Sequence, residues 1–230
     1  MKAIEDILFE EGFGTRRFCR ALVAKGQVLV MGEPCLELGK LFDENDLKVT
    51  VSGFDWVCRA PVLIALNKPA GYECSRKPSG FPSVFTLLPF PWQNRPVQCV
   101  GRLDAETSGL ILLTDDGALN HRLTHPKKHV EKAYSALLKH PADPDMPDKL
   151  LRGVALKDSD APAKALRARL TDPFHLDLVI DSGAYHVVRR MIAACSNRCE
   201  ALTRTRIGKF SLPQDFAPGA FMRIKPEDVL

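Results

Sequence analysis

The chain has 230 residues, 45% of them hydrophobic and 26% charged, and 32 Lys+Arg against 28 Asp+Glu leave a formal net charge of +4. This is the composition of an ordinary globular protein, long enough for one sizeable domain or for a small one and a medium one. It excludes a membrane-spanning or repetitive chain: no apolar run reaches bilayer length, the acids inside MKAIEDILFEEGF argue against a signal peptide, and no internal repeat is present.

Taken in order, Ile4, Ile7 and Leu8 have helical spacing, and Gly12-Phe13-Gly14 ends that helix. Thr15 is placed to cap a second helix over residues 16–25, closed by Gly26. Its apolar Phe18, Leu22 and Val23 fall on one side, and Arg16, Arg17 and Arg20 largely on the other. Together with Lys25 these arginines form a basic cluster without an acid, although residues 1–60 hold 8 basic and 10 acidic side chains. QVLV then leads into a turn at Met31-Gly32-Glu33, and LKVTV forms a further strand, so residues 1–51 read as a compact α/β unit. Residues 52–59 read as a linker, with a second domain over 60–230.

That second domain opens on the buried strand VLIAL and on Asn67-Lys68-Pro69-Ala70-Gly71, followed by a loop-rich stretch with five prolines between Pro78 and Pro96. Loops of that length in compact domains are usually functional or mobile. Next come strand 98–100, a loop holding Asp104, strand 110–114, a helix from Ala118, and the strand KAYSALL. DPDMPDKLLRGV gives a turn and a short helix, and ALRARL and HLDLVI alternate as strands. YHVVRRMIAAC reads as a helix with Val188, Met191, Ile192 and Cys195 inward, and CEALTRTRIGKF and FMRI as the last strands. A second basic cluster, six Lys/Arg against Glu200 alone, spans 186–209. Many strands with interspersed helices and no regular βαβ beat indicate an α+β fold with a mixed sheet. The seven cysteines form no CxxC pair and read as reduced, mostly buried thiols of a cytoplasmic protein.

GRLDAETSGLILLTDDG sets an acid, Asp104, at the mouth of a buried strand. Thr107 and Ser108 can bond the loop's own backbone and aim the carboxylate, and the helix carrying Arg189 and Arg190 is the expected cation source. Such an acid would stay ionised and nucleophilic. The residues alone favour an aspartate that merely caps a turn, and spacing alone favours Tyr134 as an ordinary strand tyrosine.

Several motifs bear on that choice. GRLDAETSGLILLTDDG closely resembles the signature of the pseudouridine synthases. LNKPAGYECSRKPSGFPSVFTLLP resembles the loop of the bacterial branch that acts on small-subunit ribosomal RNA, and KAYSALL, GAYHVVRRM and LTRTRIG match further segments of that family in order. TRRFCRALVAKGQVLVMGE is similar to an S4 RNA-binding module. The resemblance implies an S4-like module over 1–51 and a mainly antiparallel catalytic sheet with flanking helices. It implies an isomerase that converts a uridine of ribosomal RNA to pseudouridine, with no cofactor or metal. Asp104 would be the essential aspartate, Tyr134 would stack under the flipped uracil, and Arg189 would pair with the aspartate. Arg102 would hold RNA or fill the gap left by the base, and Leu202 would wall the pocket. Lys68, Arg190, Arg16, Arg17, Arg20 and Lys25 complete the expected RNA contacts. The partner would be ribosomal RNA of the small subunit or its assembly intermediate, bound by a monomer away from any membrane.

The chain departs from the family pattern with Val187 for Gln, Ser196 for Gly, Ala3-Ile4-Glu5-Asp6 for the R-L-D opening of the module, and Met31-Gly32 for Asn-Gly. Action on large-subunit or transfer RNA, and a non-catalytic assembly factor, are the competing readings; a pure binder has no use for an acid beside phosphate. His121 and His125 stand four apart as zinc ligands can, without an HExxH pattern or a third ligand nearby.

Overall fold

The computed structural model describes residues 1–59, 61–157 and 161–230; Ala60, the expected first residue of the second domain, lies outside the described residues. The chain divides into two compact units, Met1–Val62 with Leu88–Gln98, and Leu63–Leu87 with Cys99–Leu230. Among the described residues no helix is long and apolar enough to cross a membrane.

The first unit contains β1 (Lys2–Ala3), α1 (Ile4–Glu10), α2 (Arg16–Ala24), β2 (Val28–Val30), β3 (Glu33–Pro34), β4 (Leu41–Phe42), β5 (Lys48–Val51), β6 (Phe54–Val57) and α3 (Phe90–Asn94). Thr15 caps α2 by accepting the Phe18 N–H at 3.2 Å. The helix buries Cys19, Leu22 and Val23 and leaves Phe18 52% exposed, so the inward side is turned one residue from the expected one. Strands β3-β2-β5-β6 form an antiparallel sheet. The expected linker is β6: Ser52 and Gly53, both at positive φ, make a two-residue hairpin, and Phe54–Val57 pairs with β5 from Val51↔Phe54 to Lys48↔Val57. Positive φ at both turn residues matches the twist of the flanking strands. Residues 88–98 belong to this unit through a buried ion pair: Glu11 takes the Arg95 guanidinium at 2.9 Å, the Trp56 indole N–H at 2.9 Å and the Arg59 amide at 2.9 Å.

The second unit contains β7 (Leu63–Lys68), β8 (Gln98–Val100, whose first residue counts with the other unit), β9 (Ser108–Thr114), α4 (Gly117–Thr124), β10 (Lys132–Leu138), α5 (Met146–Arg152) and β11 (Arg167–Asp172). It continues with β12 (His175–Ile180), α6 (Val187–Ala194), β13 (Cys199–Ile207), β14 (Phe210–Ser211), β15 (Phe221–Arg223) and α7 (Pro226–Val229). The sheet order is β11-β12-β10-β13-β9-β7-β15, with β14 beside β13 and β8 beside β9. Its neighbours along that path are antiparallel except β9 and β13, which run parallel through Thr203↔Ser108 and Arg204↔Gly109. The expected α+β class and mainly antiparallel sheet are therefore present.

Strand β9 is central, and Leu110, Ile111, Leu112 and Leu113 are all fully buried, which is why the sequence shows a continuous apolar run rather than alternation. Leu63, Ala65, Leu110, Leu112, Leu119, Leu123, Ile207 and Val229 pack as one core cluster. Because β9 and β13 run side by side in the same direction, the segments that enter them, loop 101–107 and residues 182–198 with α6, lead in from the same end of the sheet.

Candidate active site

A cavity of about 480 Å³ opens at that end of the second unit, within the common size range of ligand sites. Asp104, Tyr134, Arg189, Leu202 and Arg102 all line it, so the fold brings together five residues separated by 100 positions of sequence. Tyr134 and Leu202 are nearly buried; Tyr134 lies opposite Arg204, and Leu202 opposite Ala136, on adjacent strands. The side chain of Asp104 keeps about a third of its surface exposed.

The Asp104 loop is fixed by the backbone. Thr107 N–H donates to the Asp104 carbonyl at 3.0 Å and Gly71 N–H to the Ala105 carbonyl at 2.8 Å. The Thr107 hydroxyl, expected to brace the loop, is buried without a partner, and Ser108 Oγ instead meets Thr203 Oγ1 at 2.8 Å across the parallel pair. Gly101, at φ +71, serves the turn: a side chain there would meet only Thr124 Cγ2, at an ordinary 4.0 Å. The close approach is at Gly109, inside β9, where a Cβ would lie 2.2 Å from the Arg204 carbonyl oxygen.

Two expected roles need correction. Arg189 does not pair with Asp104: its Nη1 donates to the Cys199 carbonyl at 3.1 Å, and its Nη2 is buried without a partner. The group facing Asp104 is His186, whose Nε2 lies 3.0 Å from Oδ1. His186 is not helical but caps α6 at φ +50, a conformation that turns its ring away from the helix and onto Tyr185, stacked at 3.7 Å. Lys68 is not an RNA contact. It is fully buried, and its ammonium donates to the carbonyls of Pro69, Tyr72 and Ala105 at 2.9, 2.9 and 3.0 Å. Those bonds use all three protons and tie loop 69–72 to the loop of Asp104, while burial pulls the amine below the usual lysine range. Lys68→Met is expected to strand these acceptors and cost about 1–3 kcal/mol, read as a lower denaturant midpoint at unchanged slope.

Besides His186, the lining residues Arg204, Lys132 and Cys74 lie outside the expected set. Arg204 is 2% exposed, donates from Nε to the Leu110 carbonyl at 2.7 Å and leaves Nη2 unpartnered. Lys132 bonds the Val130 carbonyl at 2.8 Å, and burial, followed by the charge of Arg204, holds its amine below the usual range. Cys74 accepts the Leu103 N–H at 3.5 Å. In the sequence, Arg204 was detectable through the two-residue spacing that sets it on the Leu202 face of β13; His186 and Cys74 carried no such signal. Arg102, Lys132, Arg189 and Arg204 thus meet Glu73 and Asp104 in one cavity, an excess of cation over acid.

Arg17 and Arg20 on α2 and Lys25 at its C-cap stand exposed, whereas Arg16 is ion-paired with Asp6 and lies over the Phe9 ring, 4.2 Å from its centroid. Arg190 donates to the Tyr185 carbonyl at 3.4 Å. The rings of His121 and His125 pack at 4.8 Å, and no cluster of three metal-binding side chains occurs among the described residues.

Residues 62–194 match the family model for RNA pseudouridylate synthase. The chain is 37% identical over 188 residues to "Ribosomal small subunit pseudouridine synthase A" of Yersinia pestis, covering 82% of this chain and 76% of that one. It is 37% identical to the protein of the same name from Escherichia coli strain K12 over 171 residues, 74% of this chain and 73% of that one. A crystal structure of a pseudouridylate synthase superposes with a TM-score of 0.69 at 26% identity, over 100% of this chain and 98% of the other. A family match across the cavity-bearing unit and relatives of this identity over most of the chain lead to one conclusion: the chain belongs to the RNA pseudouridylate synthase family.

Proposed function

We propose that the protein isomerises one uridine of small-subunit ribosomal RNA to pseudouridine, with Asp104 as the reacting carboxylate. The observation that carries this reading is the carboxylate, one-third exposed, in a cavity walled by Tyr134 and Leu202 and rich in guanidinium. The uridine must leave its stack before its sugar can be reached. Tyr134 then offers a ring for uracil to lie against, and Leu202 keeps water from that side. The Asp104 carboxylate acts on the ribose, by attack at C1′ or by taking a sugar proton, and the N1–C1′ bond breaks. Uracil turns within the cavity and rejoins C1′ through C5, which gives up its proton. The substrate's own atoms suffice, so the reaction consumes nothing else. Arg189 and Arg204 give the cavity wall a positive charge that suits an anionic substrate, and Arg102 is suited to the RNA at the mouth. The names of the relatives favour the small subunit over other RNA.

We further propose that the first unit serves as an S4-like module of a monomeric, cytoplasmic enzyme and meets RNA through α2. Replacing Arg17, Arg20 and Lys25 together with Ala is expected to weaken RNA binding and to shallow the slope of log K against log salt by about 2–3, since each lost phosphate contact removes roughly 0.9 for duplex. A filter-binding titration at several salt concentrations reads this; unchanged slope removes α2 from the RNA surface. The activity itself is tested by mapping pseudouridines in ribosomal RNA from cells with and without the protein. One small-subunit uridine should revert; reversion only in large-subunit or transfer RNA would reassign the substrate.

A further inference from the structure

The proposed reaction gives no task to residues 75–83, although they follow directly on the cavity wall. Residues 73–84 close on themselves around one carboxylate. Glu73 Oε1 accepts the amide of Gly80 at 2.7 Å and that of Phe81 at 2.9 Å, and Oε2 accepts that of Ser79 at 3.0 Å. The Glu73 amide donates to the Pro82 carbonyl, and the Val84 amide to the Glu73 carbonyl, both at 2.9 Å. Ser83 Oγ donates to the Ser75 carbonyl at 2.6 Å. The amides of Phe81, Gly80 and Ser79 hold the Glu73 carboxyl below the usual carboxylate range, so it stays an acceptor.

The base of this loop belongs to the cavity: Glu73, Cys74 and Ser75 all line it. The Leu103 amide donates to Cys74 Sγ at 3.5 Å and the Gly71 amide to the Ala105 carbonyl at 2.8 Å, so the loop is fastened to both neighbours of Asp104. The tip faces water, with Lys77 exposed and Phe81 46% exposed. A lone exposed phenylalanine on a free tip would mean little. Here its amide is bonded to a cavity-lining side chain, and Pro78 and Pro82 stiffen the chain around it. A ring fixed in advance loses little freedom on binding.

We propose that loop 75–83 is a nucleobase platform at the cavity mouth: Phe81 stacks on an unpaired base next to the flipped uridine, Lys77 meets a phosphate of the same strand, and Glu73 is the positioning residue that holds the ring in place. This rests on the reading that the cavity takes a uridine of RNA. A uridine that leaves its stack bares the face of a neighbouring base, and aromatic side chains cover such faces whatever the base. One ring between Lys77 and the cavity-lining Arg102 suits a base between phosphates better than an apolar protein surface.

The test uses the full chain and small-subunit ribosomal RNA transcribed in vitro, read by a binding titration. Phe81→Ala is expected to bind about 10-fold more weakly, the scale of one lost stack. Phe81→Trp should keep the parent's affinity, and its indole emission should fall when RNA is added; Phe81→Leu, apolar but without a ring, should bind as weakly as Phe81→Ala. Lys77→Ala should shallow the slope of log K against log salt by about 0.7, one phosphate of a single strand. Glu73→Ala should speed hydrogen exchange at the amides of Ser79, Gly80 and Phe81 while those of β9 stay protected, and its loss of affinity should add only in part to that of Phe81→Ala. The platform is overturned if Phe81→Ala binds within about twofold of the parent, or if Phe81→Leu binds as tightly as Phe81→Trp. It is equally overturned if naked RNA binds every variant alike and only a protein-bearing small-subunit particle tells them apart, which would make the ring a protein contact. Unchanged exchange at the three amides removes Glu73 from its role. None of these readouts needs turnover, so a parent that binds RNA through this ring yet makes no pseudouridine would sink the proposed reaction and leave the platform standing.

Discussion

Asp104→Asn is expected to abolish pseudouridine formation, with a fall of more than about 10⁴-fold, on the scale of deleting a covalent nucleophile. The amide has the same size, so the Thr107-to-Asp104 backbone bond and the cavity walls remain. The side chain is also one-third exposed, so little packing is lost. Thermal midpoint and RNA affinity should stay close to the parent's. The measurement is single-turnover conversion with excess enzyme, run beside a binding titration. Turnover near the parent's would remove Asp104 from the chemistry; loss of RNA binding would show that the carboxylate serves the complex rather than the reaction.

Gly109→Ala is expected to be strongly destabilising for a single added methyl group. The added carbon would stand 2.2 Å from the Arg204 carbonyl oxygen, 2.8 Å from its nitrogen and 2.9 Å from Thr203 Cγ2, at a φ of +98. Backbone strain of about 1–3 kcal/mol and overpacking of similar size add because the two closest contacts are main chain and cannot step aside. The sum, roughly 3–5 kcal/mol, should lower the melting temperature by about 10 °C. It should also open the Arg204↔Gly109 register and release the Asp104 loop, so activity at low temperature should fall even while the chain stays folded. A melting curve within about 2 °C of the parent's would contradict the close approach.

Local periodicity made much of this fold legible. KAYSALL and HLDLVI occupy the strands Lys132–Leu138 and His175–Ile180 residue for residue, because each has a clear alternation between two faces. The stretch 52–59 misled because the signals of a linker and of a tight hairpin are the same residues; only pairing with β5 distinguishes them. The site divides along similar lines. Asp104, Tyr134, Arg102 and Leu202 were recognisable from motif and converge in the cavity. Lys68 was misassigned because a lysine in a loop looks exposed, and the three carbonyls that bury it come from Pro69, Tyr72 and a residue 37 positions away. The exchange of Arg189 for His186 beside Asp104 turns on one left-handed residue at a helix cap, which spacing does not encode.

The parallel join of β9 to β13 also has a consequence for how this enzyme is made. Ser108 meets Thr203 across 95 residues of chain, so the loop that aims Asp104 is braced by a strand translated long after it. A growing polypeptide that has already displayed its aspartate still lacks α6, Leu202 and Arg204, the far wall of the cavity. A chain ending before β13 is therefore expected to lack a complete cavity and to make no pseudouridine, which an activity assay of such a truncation would read.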